Sequence, residues 1–379
     1  MKAATRLDHI QEYYFSRKLK EVSALIQKGK PVINMGIGSP DLEPPKAVIA
    51  ALQAGLQHPQ AHQYQSSIGI PKLREAIAQF YQNHYQVRLN PNGEVLPLMG
   101  SKEGIMHISM AFLNAGNEVL IPNPGYPTYT SVTHLVEAVP RYYELTEGSN
   151  WLPNIAQLAK TDLSRVKLMW LNYPHMPTGA LATKEFYEEV IAFAKTNNII
   201  LVNDNPYSFI GSHKPQSLLS VGQAKEVALE LNSLSKSFNV AGWRAGMLLG
   251  NKHLISQVLK VKSNMDSGMF YGIQQGAIAA LALSDDWFKN LNAQYSKRKK
   301  LLHQLVSVLG CSVVKSDAGL FIWAKLPDGK KAEPFIDDLL HKKHLFITPG
   351  TIFGTNGEGY IRLSLCVTEE KIEEALNRF

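Results

Sequence analysis

The middle of this 379-residue chain alternates short apolar runs with longer stretches of helical periodicity. No other feature limits its folding options as much. Val95–Met99, Glu118–Ile121, Val166–Leu171, Ile199–Val202 and Val227–Leu231 have the length and content of fully buried strands. Strands separated by helices in this way predict an α/β fold with a mostly parallel sheet covered by helices on both faces. In such sheets ligands gather beyond the carboxyl ends of the strands. The residues that follow each apolar run are therefore the ones to read for chemistry.

Three of these ends are informative. After Val227–Leu231 comes Ser233-Leu-Ser-Lys236-Ser, with Arg244 shortly beyond. A lysine among hydroxyls and near an arginine suits an amine that condenses with an aldehyde. Ser233, Ser235 and Arg244 can donate to a phosphate beside it. Read alone, the segment is also compatible with a solvated lysine in a serine-rich loop. After Ile199–Val202 come Asn203, Asp204 and, three residues on, Tyr207. A carboxylate there could hold a ring nitrogen in its protonated state, or it could simply cap the turn before Pro206. After Val95–Met99 comes Gly100-Ser-Lys-Glu-Gly104 and then a helical pattern. Strand, glycine turn and helix N-terminus make an anion site to which Ser101 adds a hydroxyl. The spacing is not that of a Walker loop, and Ser101 as a plain N-cap is an alternative.

Taken in this order the segments resemble the class I/II aminotransferases of fold type I, over nearly the whole chain. The resemblance implies pyridoxal 5'-phosphate as cofactor, Lys236 as its Schiff-base lysine and general acid and base, and Asp204 as the partner of the ring nitrogen. It implies Tyr207 on the cofactor's 3-oxygen, Tyr126 of Asn123-Pro-Gly-Tyr-Pro127 against the ring, and Arg244 with Ser101, Lys102, Ser233 and Ser235 around the phosphate. Asn172 would contact both cofactor and substrate. Gly38, in Gly36-Ile-Gly38-Ser-Pro-Asp41, and Arg362, in Gly357-Glu-Gly-Tyr-Ile-Arg362, match positions that receive the substrate carboxylate. A guanidinium grips a carboxylate through two parallel bonds, which a lysine cannot do. Tyr64 matches a tyrosine that reaches the partner's site in a homodimer, and Lys262–Gly268 resembles a loop that meets the partner. Substrates would be an L-amino acid and a 2-oxo acid, with the alanine, aspartate and LL-diaminopimelate branch the nearest in motif.

One position departs from the family's pattern. The family's Asn-Pro-Thr-Gly appears here as Met176-Pro-Thr-Gly179, so a thioether stands where an amide would donate to the cofactor's 3-oxygen. His175 alongside is a candidate substitute, although a loop histidine is more often solvated.

Composition fits an ordinary globular enzyme, at 45% apolar and 19% charged residues. The length suggests division into residues 1–44 (an N-terminal arm and part of a small domain), 45–285 (a large cofactor domain) and 286–379 (the rest of the small domain). A long helix is expected from Asp285-Asp286-Trp287. The net charge of +7 peaks at Lys297-Arg-Lys-Lys300, which reads as a solvated helix face; no recognition module accompanies it, so no nucleic-acid partner is expected. Met1–His9 lacks an apolar leader and no run reaches membrane length. With two cysteines, Cys311 and Cys366, expected as reduced and buried thiols, the location predicted is the cytoplasm. No metal site is expected. Three other functions remain compatible with parts of the pattern: a C–S β-lyase on the same fold, a non-catalytic cofactor-binding regulator, and a dinucleotide-dependent dehydrogenase. The last is disfavoured because Asp41 stands where that fingerprint needs a third glycine.

Overall fold

The computed structural model describes residues 2–8, 10, 14–211, 214–315 and 318–379; Met1 and His9, the ends of the segment read for a leader, lie outside them. Seven strands form the central sheet in the order Val95–Leu98, Gly246–Gly250, Ala228–Ser233, Ile200–Asp204, Val166–Leu171, Glu118–Asn123 and Val139–Glu144. Gly246–Gly250 runs antiparallel to both neighbours, and the remaining pairs are parallel. Successive residues of one strand serve different cores, because side chains alternate across a sheet. Leu120, Met169 and Leu201 pack on one face, while Val119, Ile121, Trp170 and Val202 pack on the other. Both faces are buried, as the continuous apolar runs require.

All five expected strands are present, with Val227 ending a short helix, Ala224–Val227, instead of opening its strand. Two strands of this sheet were not foreseen. Val139–Glu144 is an edge strand whose proline and charges hide its character, and Gly246–Gly250 is framed by glycines that read as turns.

Residues from both ends of the chain build a second layer. Ile33–Asn34 pairs in parallel with Leu345–Phe346. Nearby lies an antiparallel sheet ordered Thr348–Pro349, Tyr360–Ser364, Phe321–Lys325 and Ser312–Val313. The expected long helix spans Asp285–Val308 and opens on two aspartates, which suit the positive end of its dipole. Its basic run is solvated at Lys297 and Lys300, as the sequence suggested, but not throughout. Arg298 is buried and grips Asp41 through two bonds of 2.7 and 2.9 Å, with a third to the Leu365 carbonyl. Glu369 lies 3.6 Å from Nε on the same guanidinium, so the charge is shared between two carboxylates. The thiols also differ from expectation: Cys311 and Cys366 are unpaired but only half-buried. Among the described residues, no helix is long and apolar enough to cross a membrane.

Candidate active site

The carboxyl ends of the central strands open on a cavity of about 640 Å³. Asp204, the last residue of its strand, faces it with 5% of its surface exposed. One carboxylate oxygen accepts the Tyr129 hydroxyl at 2.9 Å, whereas the other, Oδ1, has no partner among the described residues. Burial pushes this carboxyl up to about 7 against the opposing bond from Tyr129. Asn172 braces the same corner. Its Nδ2 donates to the Asp204 carbonyl at 2.6 Å and its Oδ1 accepts the Met176 amide at 2.9 Å. Tyr129 is held in turn by stacking on Trp170, with ring centres 4.9 Å apart.

Lys236 sits in a one-turn helix, Leu234–Ser237, directly after its strand. Its Nζ donates to the Gly38 carbonyl at 2.6 Å. Burial holds the amine below the usual lysine range, and the guanidinium groups of Arg362 and Arg244 add to that. Ser233 donates its hydroxyl to Ser235 at 2.8 Å on the same wall.

The glycine turn supplies an anion cup. Gly100, and not Ser101, is the N-cap residue of the helix Ser101–Phe112, with φ of 87°. A Cβ there would fall 2.2 Å from Arg244 Nη2, so only glycine allows the guanidinium to lie across the helix N-terminus. Arg244 itself has φ of 55° and is steadied by the Ala241 carbonyl at 3.0 Å. Ser101 and Lys102, in the first turn, also line the cavity.

Opposite lies a second cation. Arg362 is no edge charge: its strand is paired on both sides, and only 4% of its surface is exposed. Nη2 donates to the Gly36 carbonyl at 2.8 Å and Nη1 to the Met176 sulfur at 3.3 Å. The guanidinium lies 3.9 Å from the Phe321 ring centre, 4.8 Å from Phe353 and 5.6 Å from Phe15. Gly38 has no room for a side chain, since a Cβ would be 2.3 Å from the Phe321 ring. Tyr126 and Tyr207 complete the wall, and burial raises the Tyr207 phenol.

Every site residue read from the sequence therefore meets at this cavity except Tyr64, which is 92% exposed and lies away from it. His175 is absent from the wall as well. It is buried, not solvated, with Nδ1 on Thr178 at 2.8 Å, and burial lowers its imidazole to about 3. Of the histidines and carboxylates elsewhere, Glu103, His107 and Asp266 come within 4.8 Å of one another. The Lys262 ammonium already binds Asp266 there at 2.7 Å, so the group needs no metal.

The model of aminotransferase class I and II matches residues 30–379. The chain belongs to that family. This aminotransferase is 42% identical over 378 residues to an LL-diaminopimelate aminotransferase of Dehalococcoides mccartyi, covering 99% of this chain and 97% of that protein. It is 38% identical to the protein of the same name from Aquifex aeolicus, covering 98% and 97%. Among solved structures, apo-BacF from Bacillus subtilis superposes with a TM-score of 0.96 at 36% identity, over 100% of this chain and 97% of that one. An aminotransferase from Staphylococcus aureus gives 0.91 at 32% identity, over 99% and 98%. The aminotransferase is thus a pyridoxal-phosphate-dependent transferase of amino groups, not a lyase, a regulator or a dehydrogenase.

The cavity fits that cofactor. A buried carboxylate oxygen without a partner suits a protonated ring nitrogen, and the helix N-terminus under Arg244 suits a phosphate. Sequence reading missed several contributors to the aminotransferase site. Tyr129 follows Tyr126 at helical spacing, a signal that could have found it. Phe15 and Leu19, on the helix Tyr14–Gln27, come from a segment with no motif at all.

Proposed function

We propose that this cavity carries out both halves of an amino-group exchange between an L-amino acid and a 2-oxo acid, with Lys236 as the residue that holds the cofactor and moves the α-proton. One observation carries this reading: the Lys236 amine and an Asp204 oxygen that has no partner among the described residues line one cavity with an arginine, Arg362, that is buried and stacked on aromatic rings. Pyridoxal phosphate, when bound, supplies an aldehyde and a ring that draws charge from the substrate's Cα. Asp204, held by Tyr129 and Asn172, keeps that ring protonated. Arg362 turns from Met176 and Gly36 to grip the α-carboxylate, which fixes the Cα–H bond toward Lys236. Lys236, its amine kept more easily neutral by burial, takes the proton and later returns it. Ser101, Lys102, Ser233, Ser235 and Arg244 would hold the phosphate, Tyr207 the 3-oxygen and Tyr126 the ring face, with Asn172 beside both cofactor and substrate.

We also propose a homodimer in which Tyr64 reaches the other subunit's site. The exposed Tyr64, Ile68, Met265 and Phe270 support it, because their two segments touch through Ser67 and the Asp266 carbonyl and form one surface. The division into residues 1–44, 45–285 and 286–379 is supported by the pairing of Ile33–Asn34 with Leu345–Phe346. Unpaired cysteines suit the cytoplasm. The deciding experiment is a half-reaction with one amino acid: 2-oxo acid should form with the parent enzyme and not with Lys236→Ala.

A further inference from the structure

The proposed roles leave one part of the cavity unassigned. Its charged wall residues are Lys102, Asp204, Lys236, Arg244 and Arg362, and each is taken by cofactor or α-carboxylate. With the carboxylate on Arg362 and the amino group at Lys236, the third substituent of the substrate's Cα faces the remaining wall. That wall is Phe15, Ser16 and Leu19 of the helix Tyr14–Gln27, with Ile37 and Ser39 from the loop beside Gly38. Phe15, Leu19 and Ile37 belong to one small apolar core with Leu340 and Phe346. The two serines offer neutral hydroxyls. Among the described residues this part of the wall carries no formal charge.

The two segments proposed to meet a second copy contain no Lys, Arg, Asp or Glu outside a mutual ion pair. In the Tyr64 segment, His62-Gln-Tyr-Gln-Ser-Ser-Ile-Gly69, His62 is the one titratable group besides the phenol. In the neighbouring loop Lys262 and Asp266 neutralise each other, with side chains 1% and 6% exposed.

Resting on the site assignment above, we infer that the amino donor has an apolar side chain, aliphatic or aromatic, and that Phe15, Leu19 and Ile37 select it. A donor such as diaminopimelate brings an ammonium and a carboxylate at its far end. Placed against this wall, both would lose water and gain neutral hydroxyls at most, with no opposite charge, which a neutral side chain avoids. Differences of one methylene among apolar donors are worth only about 10- to 200-fold in such a pocket, so several apolar donors should react.

The test uses the full chain loaded with pyridoxal phosphate. Single donors are compared by 2-oxo acid release: L-leucine, L-methionine and L-phenylalanine against L-aspartate and LL-diaminopimelate. Unreactive acids, 4-methylpentanoate and 3-phenylpropanoate against pimelate, are compared by calorimetric Kd. At least one apolar donor should exceed both charged donors in kcat/KM by about 100-fold, and the apolar acids should bind more tightly than pimelate. Leu19→Arg should shift the ratio of L-glutamate to L-leucine by about tenfold or more toward glutamate, since the new guanidinium can pair with the distal carboxylate. Ser16→Arg, at an exposed position, replaces it if Leu19→Arg does not fold. Faster turnover with LL-diaminopimelate or L-aspartate overturns the inference and leaves the site assignment standing. So do arginine variants with unchanged donor ratios. A loaded enzyme that yields no oxo acid from any of the five donors overturns the site assignment as well.

Discussion

Asp204 and Arg362 are opposite charges in one cavity, 5% and 4% exposed, yet they are held by different kinds of structure. Asp204 is the last residue of a central strand, and its braces, Tyr129 and Asn172, stand at or just beyond the same edge of the same sheet. Arg362 is held by residues scattered along the whole chain: Phe15, Gly36, Met176, Phe321 and Phe353. The carboxylate keeps one oxygen free within a rigid frame, while the guanidinium rests on aromatic faces and on two weak or exchangeable acceptors. On the proposed assignment, one group is preorganised for a resident cofactor and the other for a substrate that comes and goes. A fixed dipole costs no rearrangement during reaction, and a stacked guanidinium can turn to a carboxylate without leaving its rings.

Four substitutions sharpen that contrast. The largest effect belongs to Lys236→Ala, which lies between the two groups: turnover should fall by more than about 10³-fold while calorimetry still detects cofactor binding, since cup and Asp204 do not depend on the amine. Measurable steady-state exchange would remove Lys236 from its proposed role.

Asp204→Asn should slow single-turnover conversion by about 10²-fold or more and, without cofactor, make the protein more stable. The sign follows from burial. The folded carboxyl is raised from 3.8 to about 7, so between those pH values the unfolded chain has released its proton and the folded one has not. Stability therefore falls as pH rises through this window, by something on the order of 4 kcal/mol when complete. The amide has no such penalty and can still accept from Tyr129. Its gain in Tm, a few degrees at pH 8, should fade toward pH 4. A gain that is independent of pH would show that the free oxygen is not what Asp204 costs the fold.

Arg362→Lys should raise KM for amino acids by about 10- to 100-fold and lower kcat as well, because one of two parallel bonds is lost before and during reaction. Comparable KM values across several donors would place the carboxylate elsewhere. The smallest effect is expected at Met176→Asn. The amide offers a donor that the thioether lacks, so the pH midpoint of the bound cofactor's visible band should drop by about one unit. Coincident titration curves would mean that residue 176 serves Arg362 alone.

The same contrast explains what the sequence revealed. Asp204, Lys236 and Gly100 follow apolar runs, and a parallel sheet brings such positions together, so this half of the site was legible from pattern. The arginine clamp was not. Arg362 looks like a surface charge until Phe321, Phe353 and Phe15 are seen around it, and it was found only through the resemblance of its motif. Phe15 and Leu19 had no signal because a helix's apolar face does not say what it covers. Arg298 was misread for a related reason: one charge of four in Lys297–Lys300 turns inward to Asp41, and charge runs do not record direction. The edge strand Val139–Glu144 escaped because exposure on its outer side dilutes the apolar pattern.

The pairing of Ile33–Asn34 with Leu345–Phe346, and the tie from Asp41 to Arg298, have a consequence for how the molecule is made. A ribosome delivers residues 33–41 more than 250 positions before the first of these partners. The central sheet, completed once Gly246–Gly250 is made and can pair with Val95–Leu98, can form while synthesis continues, but the loop bearing Gly38 and the Phe15 helix must wait. The residues proposed to hold the cofactor, between Ser101 and Arg244, are therefore all made more than 100 positions before Arg362, the residue proposed to grip the substrate.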